Sequence, residues 1–241
     1  MDILLITILT AIATIIGTIT GFGISTVMIP ILLLSYPLGQ TLLLVGIIHL
    51  FGNLWKVILF GHDFQWKLVL LFGIPGIIAS YIGASFIINT SQQILSRILG
   101  AFLIAYVLWL FLNKSFQIKQ TMVTQISGGA LSGFLAGIFG IGGAVRAAFL
   151  SAFNLPKAVY ISTAGAIALF VDTTRLTKYL TEGIRLEQRI LWTLPLFIIV
   201  SFLSAYIAKR ILKFIPQNHF RAVVVVLLFI IALKLLIFPG N

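Results

Sequence analysis

Gly21-Phe22-Gly23-Ile24-Ser25 and Gly140-Ile141-Gly142-Gly143-Ala144 interrupt otherwise continuous apolar runs. Glycine inside a helix costs about 1 kcal/mol relative to alanine. In lipid, a backbone that leaves the helical form must also find new hydrogen-bond partners. Two such breaks at matching places need a reason. One is close helix packing, for which small residues suffice. The other is contact with a solute, because broken helices in transporters turn opened backbone and helix N-termini towards a polar cavity.

Working outward from the two clusters, apolar runs extend over Ile3–Thr20, Ile24–Leu34, Thr41–Phe60, Leu68–Ile88 and Ile98–Leu112. A second set covers Met122–Phe139, Ala144–Phe153, Ala158–Leu180, Ile190–Ala208 and Ala222–Phe238. The runs that follow the clusters are short, about 15–17 Å at 1.5 Å per residue, and need not span: re-entrant or half-length helices fit them as well as crossings do. The halves repeat. Gly21 and Gly140, Gly23 and Gly142, Pro37 and Pro156, and Gly46 and Gly165 all stand 119 apart (140 − 21, 142 − 23, 156 − 37, 165 − 46). Pro75 matches Pro195 after a small change of gap, and both are expected to kink their helices.

Of the 241 residues, 60% are hydrophobic and 9% charged, against about 25% charged in soluble domains. The fold expected is therefore an all-α polytopic membrane protein. It consists of two tandem repeats of about five helical segments, residues 1–113 and 122–241, joined by a cytoplasmic linker at 114–121. The first run begins at Ile3 with no basic segment before it, and reads as a retained helix. The net charge of +11 is read as topology and contact with anionic lipid headgroups, not as a nucleic-acid surface. If every run changes side, Lys56, Lys67, Lys114, Lys119, Lys157, Lys209, Arg210, Lys213 and Arg221 share one face with Asp63 as the sole acid. Arg97, Lys178, Arg185, Arg189 and Lys234, with Asp2, Glu182 and Glu187, take the other. The first face is then cytoplasmic and the repeats are inverted, so that the two glycine turns meet near the membrane midplane. If each glycine-broken pair counts as one span instead, the Lys114–Lys119 and Lys209–Lys213 loops lie on opposite faces and most of the charge bias is discarded.

Helix starts at Ile24, with Ser25 and Thr26 in the first turn, and at Ala144 would aim unpaired amides and dipole ends at an anion. Substrate contact is therefore expected at Gly21, Gly23, Ile24, Ser25, Thr26, Gly140, Gly142, Gly143, Ala144 and Arg146. Arg146 lies one turn into the short second-half helix, where a cation is costly and marks an ion path, a pair with Asp172, or snorkelling. Its first-half counterpart is Val27. Asp172 and Arg175 share a helix face and map by the same offset onto Asn53 and Lys56. With His49 they are candidates for the repeat interface or for coupling to a proton or sodium ion. Trp55, Trp66, Trp109 and Trp192 read as interfacial anchors. His62, Asp63 and His219 form no spaced metal set. Without cysteine there is neither disulfide nor thiolate site, and no catalytic motif or cofactor requirement is present.

The duplicated glycine motif resembles that of the TauE/SafE family of anion transporters, also called the sulfite exporter or TSUP family. Its motif is approximately G-x-G-G-G-x(4)-P in each half. The first copy keeps Gly21, Gly23 and the distal Pro30, with Ile24 and Ser25 in place of glycines. The second keeps Gly140, Gly142 and Gly143, with Ala144 for the third glycine and Phe149 for the proline. The resemblance implies a secondary transporter, not an enzyme, that moves sulfite, thiosulfate, sulfoacetate or a similar small anion across the cytoplasmic membrane by alternating access. A passive anion channel is the alternative, and a membrane enzyme acting on lipid or isoprenoid a more distant one. Arg146 is not something the motif predicts.

Overall fold

The computed structural model describes residues 3–21, 23–61, 64–89, 91–112, 119–153 and 155–212, with Phe229, Leu233 and Ile237. Phe22, His62, Asp63, Lys114, Lys213, His219, Arg221, Lys234 and, apart from those three residues, the run expected at Ala222–Phe238 lie outside them. The described residues form nine helices: α1 (Ile3–Thr20), α2 (Ile24–Leu32), α3 (Leu38–Phe60), α4 (Trp66–Asn89), α5 (Gln92–Leu112), α6 (Met122–Phe139), α7 (Gly142–Ala152), α8 (Lys157–Thr181) and α9 (Gln188–Ile211). Five of them, α1, α3, α4, α6 and α9, are long and apolar enough to cross a membrane. Large apolar side chains point outward along these helices, as Ile74, Ile78 and Ile82 do on α4 and Ile199 and Leu203 on α9. Such a surface is stable only against lipid, and the protein is a multi-pass membrane protein.

Glycine sets the breaks. Gly21 and Gly23, with φ of 73° and 83°, stop α1 and start α2, and Gly140, with φ of 71°, ends α6 in the left-handed conformation. An L side chain is strained there. The second short helix begins at Gly142, two residues before the expected Ala144, so Gly142 and Gly143 form its first turn. At 9 and 11 residues, α2 and α7 are about 14 and 17 Å long, half a membrane each. Pro75 and Pro195 lie inside α4 and α9 as expected.

The helix pairings are unchanged when the two halves are exchanged. α4 packs on α6 as α9 does on α1, α4 on α8 as α9 on α3, and α1 on α2 as α6 on α7, while α3–α8 and α2–α7 pair with their own counterparts. The directions are legible from side-chain contacts. Along α3 and α8, Gly46 lies beside Arg175 and Leu176, and Gly165 beside Asn53 and Val57, so these two counterparts run antiparallel. The Ser80 hydroxyl donates to the Val171 carbonyl at 3.3 Å and Lys178 stands over the Tyr81 ring, so α4 and α8 run the same way. Trp55 reaches Ser201 and Lys209 reaches the Leu59 carbonyl, so α3 and α9 do too.

The tightest seam joins α4 to α6. Cβ atoms at Gly129, Gly133 and Gly137 would lie 2.1, 2.1 and 2.2 Å from the carbonyl oxygens of Phe72, Gly76 and Ser80. These glycines, four apart on α6, bring two main chains into contact, which is how helices bind each other where lipid removes the hydrophobic incentive. The same offset of 119 puts Thr10, Thr14 and Thr18 at the corresponding places on α1. Trp66 and Trp192 are exposed near the starts of α4 and α9, where anchors belong. Trp55 is not one: half-buried, it donates to the Ser201 hydroxyl at 3.1 Å and packs edge-on against Phe202 of α9. The side chain of Trp109 lies outside the described residues.

Candidate functional site

The two glycine turns meet. A Cβ at Gly23 would lie 3.6 Å from the Cα of Gly143 and 2.7 Å from His49 Nε2, so the first-half turn abuts the second-half helix start with no side chain between. Ser132 fixes the second turn, its hydroxyl donating to the Gly142 carbonyl at 2.8 Å. The Ala144 amide donates to the Ile141 carbonyl at 3.2 Å. Ser25 and Thr26 are buried in the first turn of α2, and Ile24 packs into the apolar core against Gly52.

Beside this junction α3 and α8 press polar faces together. His49, Asn53 and Lys56 follow one another at helical spacing on α3, as Asp172, Arg175 and Tyr179 do on α8, which puts each set on one face. Asp172 is the shared acceptor. It receives the Arg175 Nε–H on Oδ1 at 2.9 Å, and His49 Nδ1 at 2.8 Å and Asn53 Nδ2 at 3.1 Å on Oδ2. Lys56 Nζ donates to Asn53 Oδ1 at 3.2 Å, and the Tyr179 hydroxyl donates to the Gly137 carbonyl. The structure thus joins His49, Asn53, Lys56, Asp172 and Arg175 in a single network.

Next to Lys56 is a hollow of about 10 Å³, room for roughly one water. Its polar lining is Thr18, Asn53, Lys56 and Arg146, with the glycine backbone of Gly17, Gly21 and Gly165. Ile161 and Ala164 close it on the α8 side. Among the described residues Arg146 Nε and Thr18 Oγ1 have no hydrogen-bond partner, and neither have Arg175 Nη1 and Nη2 nearby. Tyr160 lies over Gly21, where a Cβ would come 2.0 Å from the phenol oxygen.

Formal charges in this region do not balance. Lys56, Arg146 and Arg175 are 4%, 3% and 0% exposed, and Asp172, at 2%, is the sole acid among the buried charged groups of the described residues. Three cations against one anion leave +2. Buried charge without a counter-charge is costly, and inside a membrane it marks an ion pathway.

Of the residues expected to touch substrate, Gly21 and Arg146 line the hollow, while Gly23 and Gly143 form the junction beside it. Gly140 instead sits against the guanidinium of Arg175. Lys56, counted with the cytoplasmic loop charges on sequence, is inside the protein near Arg146. The offset carries the signal, since Lys56 maps onto Arg175, which lies well inside the apolar run Ala158–Leu180. Thr18 and Tyr160 were not singled out, and nothing in their neighbourhood on the chain distinguishes them. Among the described residues no group of three His, Asp or Glu could hold a metal ion.

No curated protein and no solved structure matches the chain. Residues 6–235 match the family described as sulfite exporter TauE/SafE. With its broken helices, multi-pass fold and buried cationic hollow, the chain belongs to the sulfite exporter TauE/SafE family, whose members are membrane transporters of small anions.

Proposed function

We propose that the hollow between α1, α3, α7 and α8 is the substrate site, and that the anion is a small sulfur oxyanion such as sulfite or thiosulfate. The observation that carries this reading is the buried surplus of two positive charges beside unpartnered Arg146 Nε and Thr18 Oγ1. An oxyanion supplies both the counter-charge and the acceptors, and charge-assisted hydrogen bonds to lysine and arginine are the strong kind. The glycines Gly17, Gly21 and Gly165 let the Gly23 backbone, the Tyr160 phenol and the α3 backbone close in around the hollow, which frames it tightly. Asp172, held by His49, Asn53 and Arg175, keeps the two halves in register and does not meet the anion.

In this reading transport proceeds across the cytoplasmic membrane by alternating access. The hollow as it stands is smaller than any sulfur oxyanion, so α1 and α8 part to admit one. The halves 1–113 and 122–241 act as inverted repeats. Support comes from the antiparallel run of the counterparts α3 and α8, and from the clustering of basic residues. Lys209 reaches the end of α3 while Gln120, at the start of α6, donates to Gln65 at the start of α4. Cysteines placed at Gln120 and at Lys209 are therefore expected to react with an impermeant reagent from the same, cytoplasmic, side. Labelling from opposite sides removes the inverted arrangement.

Uptake of labelled sulfite and thiosulfate into proteoliposomes tests the site. Loss of a hydrogen bond to a charged group is worth about 1.5–3 kcal/mol, so Arg146→Ala and Lys56→Met are each expected to lower the rate at limiting substrate by about tenfold or more. Folded variants that transport at the wild-type rate place the substrate elsewhere.

A further inference from the structure

The offset of 119 that relates the halves also relates the hollow to a second place in the protein. Its lining residues Thr18, Gly21, Lys56, Arg146, Ala164 and Gly165 map onto Gly137, Gly140, Arg175, Val27, Val45 and Gly46. This counterpart is filled. The Arg175 guanidinium lies between its two glycines, with Nη1 3.3 Å from a Cβ built at Gly46 and 3.2 Å from one at Gly140. Leu42 closes on Gly140 from α3, and the Tyr179 hydroxyl takes the Gly137 carbonyl. One of two related places is thus hollow, with its lysine drawn aside to Asn53. The other is plugged by the residue that corresponds to that lysine.

We infer that the filled place is a second, closed access gate, and that Arg175 is its plug. The inference rests on the transport reading above. In the opposite-facing state Arg175 withdraws from Gly46 and Gly140, leaving a glycine-lined cleft open to the other side of the membrane, while the Lys56 hollow closes. The two states differ in which basic residue fills its glycine cleft. An anion drives the exchange because it competes with the Asp172 carboxylate for the Arg175 guanidinium, and so binds one state more tightly than the other. The asymmetry between Arg146 and Val27 means that only the Lys56 side keeps a second cation, so the Lys56 hollow, once α1 and α8 part, is the side of tighter binding and the Arg175 side the side of release.

The chain contains no cysteine, so single thiols report directly. Ala164→Cys lines the hollow, and Val45→Cys is its counterpart beside Arg175. Right-side-out and inside-out vesicles are treated with a membrane-impermeant methanethiosulfonate. Ala164→Cys is expected to react from one face and Val45→Cys from the opposite face. Adding Arg175→Gln is expected to speed labelling of Val45→Cys several-fold and to slow that of Ala164→Cys. Reaction of both thiols from one face, or resistance of Val45→Cys from both faces, overturns the gate. If Arg175→Gln fails to accumulate, the two single-cysteine proteins decide the matter alone. Sulfite flux through vesicles carrying the unsubstituted protein separates this inference from the substrate reading. Opposite-face labelling without sulfite flux keeps the gate and removes the substrate, and flux with same-face labelling does the reverse.

Discussion

Asp172→Ala is expected to be among the most damaging single substitutions in the protein. It removes the one buried acid among the described residues and leaves Arg175, His49 and Asn53 without their common acceptor. Breaking a buried ion pair from one side costs about 3–5 kcal/mol, because the surviving charge stays buried without compensation. Here the formal surplus rises from two to three positive charges. The detergent-solubilised variant is expected to show a sharply lowered thermal midpoint, or not to accumulate. Asp172→Asn keeps an acceptor at the same place and is expected to lose less. The decisive comparison is Asp172→Ala combined with Arg175→Met. Replacing both partners of a buried pair by apolar groups is often close to neutral, so the double variant is expected to be more stable than Asp172→Ala alone. A double variant destabilised by the sum of the two single losses would show that the residues act independently.

The second large effect is expected at Gly133. A Cβ there would lie 2.1 Å from the carbonyl oxygen of Gly76, a main-chain atom that no side-chain rotation can move aside. Added carbon in a well-packed seam costs about 1–3 kcal/mol, and Gly133→Val adds three carbons against a backbone. Its thermal midpoint is expected to drop well below that of Gly73→Ala, a control on α4 whose added carbon meets nothing within 4 Å. Equal midpoints for the two variants would mean that the α4–α6 seam does not depend on main-chain contact. Gly133→Ala is expected to fall between them.

Much of this architecture is legible before any coordinates. α1 and α6 coincide with the apolar runs Ile3–Thr20 and Met122–Phe139, because lipid tolerates no unpaired backbone and the run therefore delimits the helix. The glycine turns and the repeat are visible for the same reason, since glycine and proline at a fixed offset are backbone statements. What is not legible is how side chains fill the space between helices. Lys56, near the end of an apolar run, has the look of a loop residue until Gly165 of α8 is seen to make room for its stem. Trp55 looks like an interfacial anchor until Ser201 supplies its acceptor. The early start of α7 at Gly142 escapes notice because glycine signals a break more loudly than it signals tolerance of a first helical turn. The hollow is the clearest case. The two halves differ there in ways spacing does not show: Arg146 stands where the other half has Val27, and Lys56 turns to Asn53 while Arg175 lies against Gly46 and Gly140.

The abutment of Gly23 on Gly143 has a mechanical consequence. Side chains between moving parts behave as cushions, since rotamer changes absorb small displacements before anything else shifts. Where glycine faces glycine there is little such slack, and a Cβ added at Gly23 would meet the His49 ring before it met Gly143. A tilt of one broken helix is thus felt at the other turn and at His49.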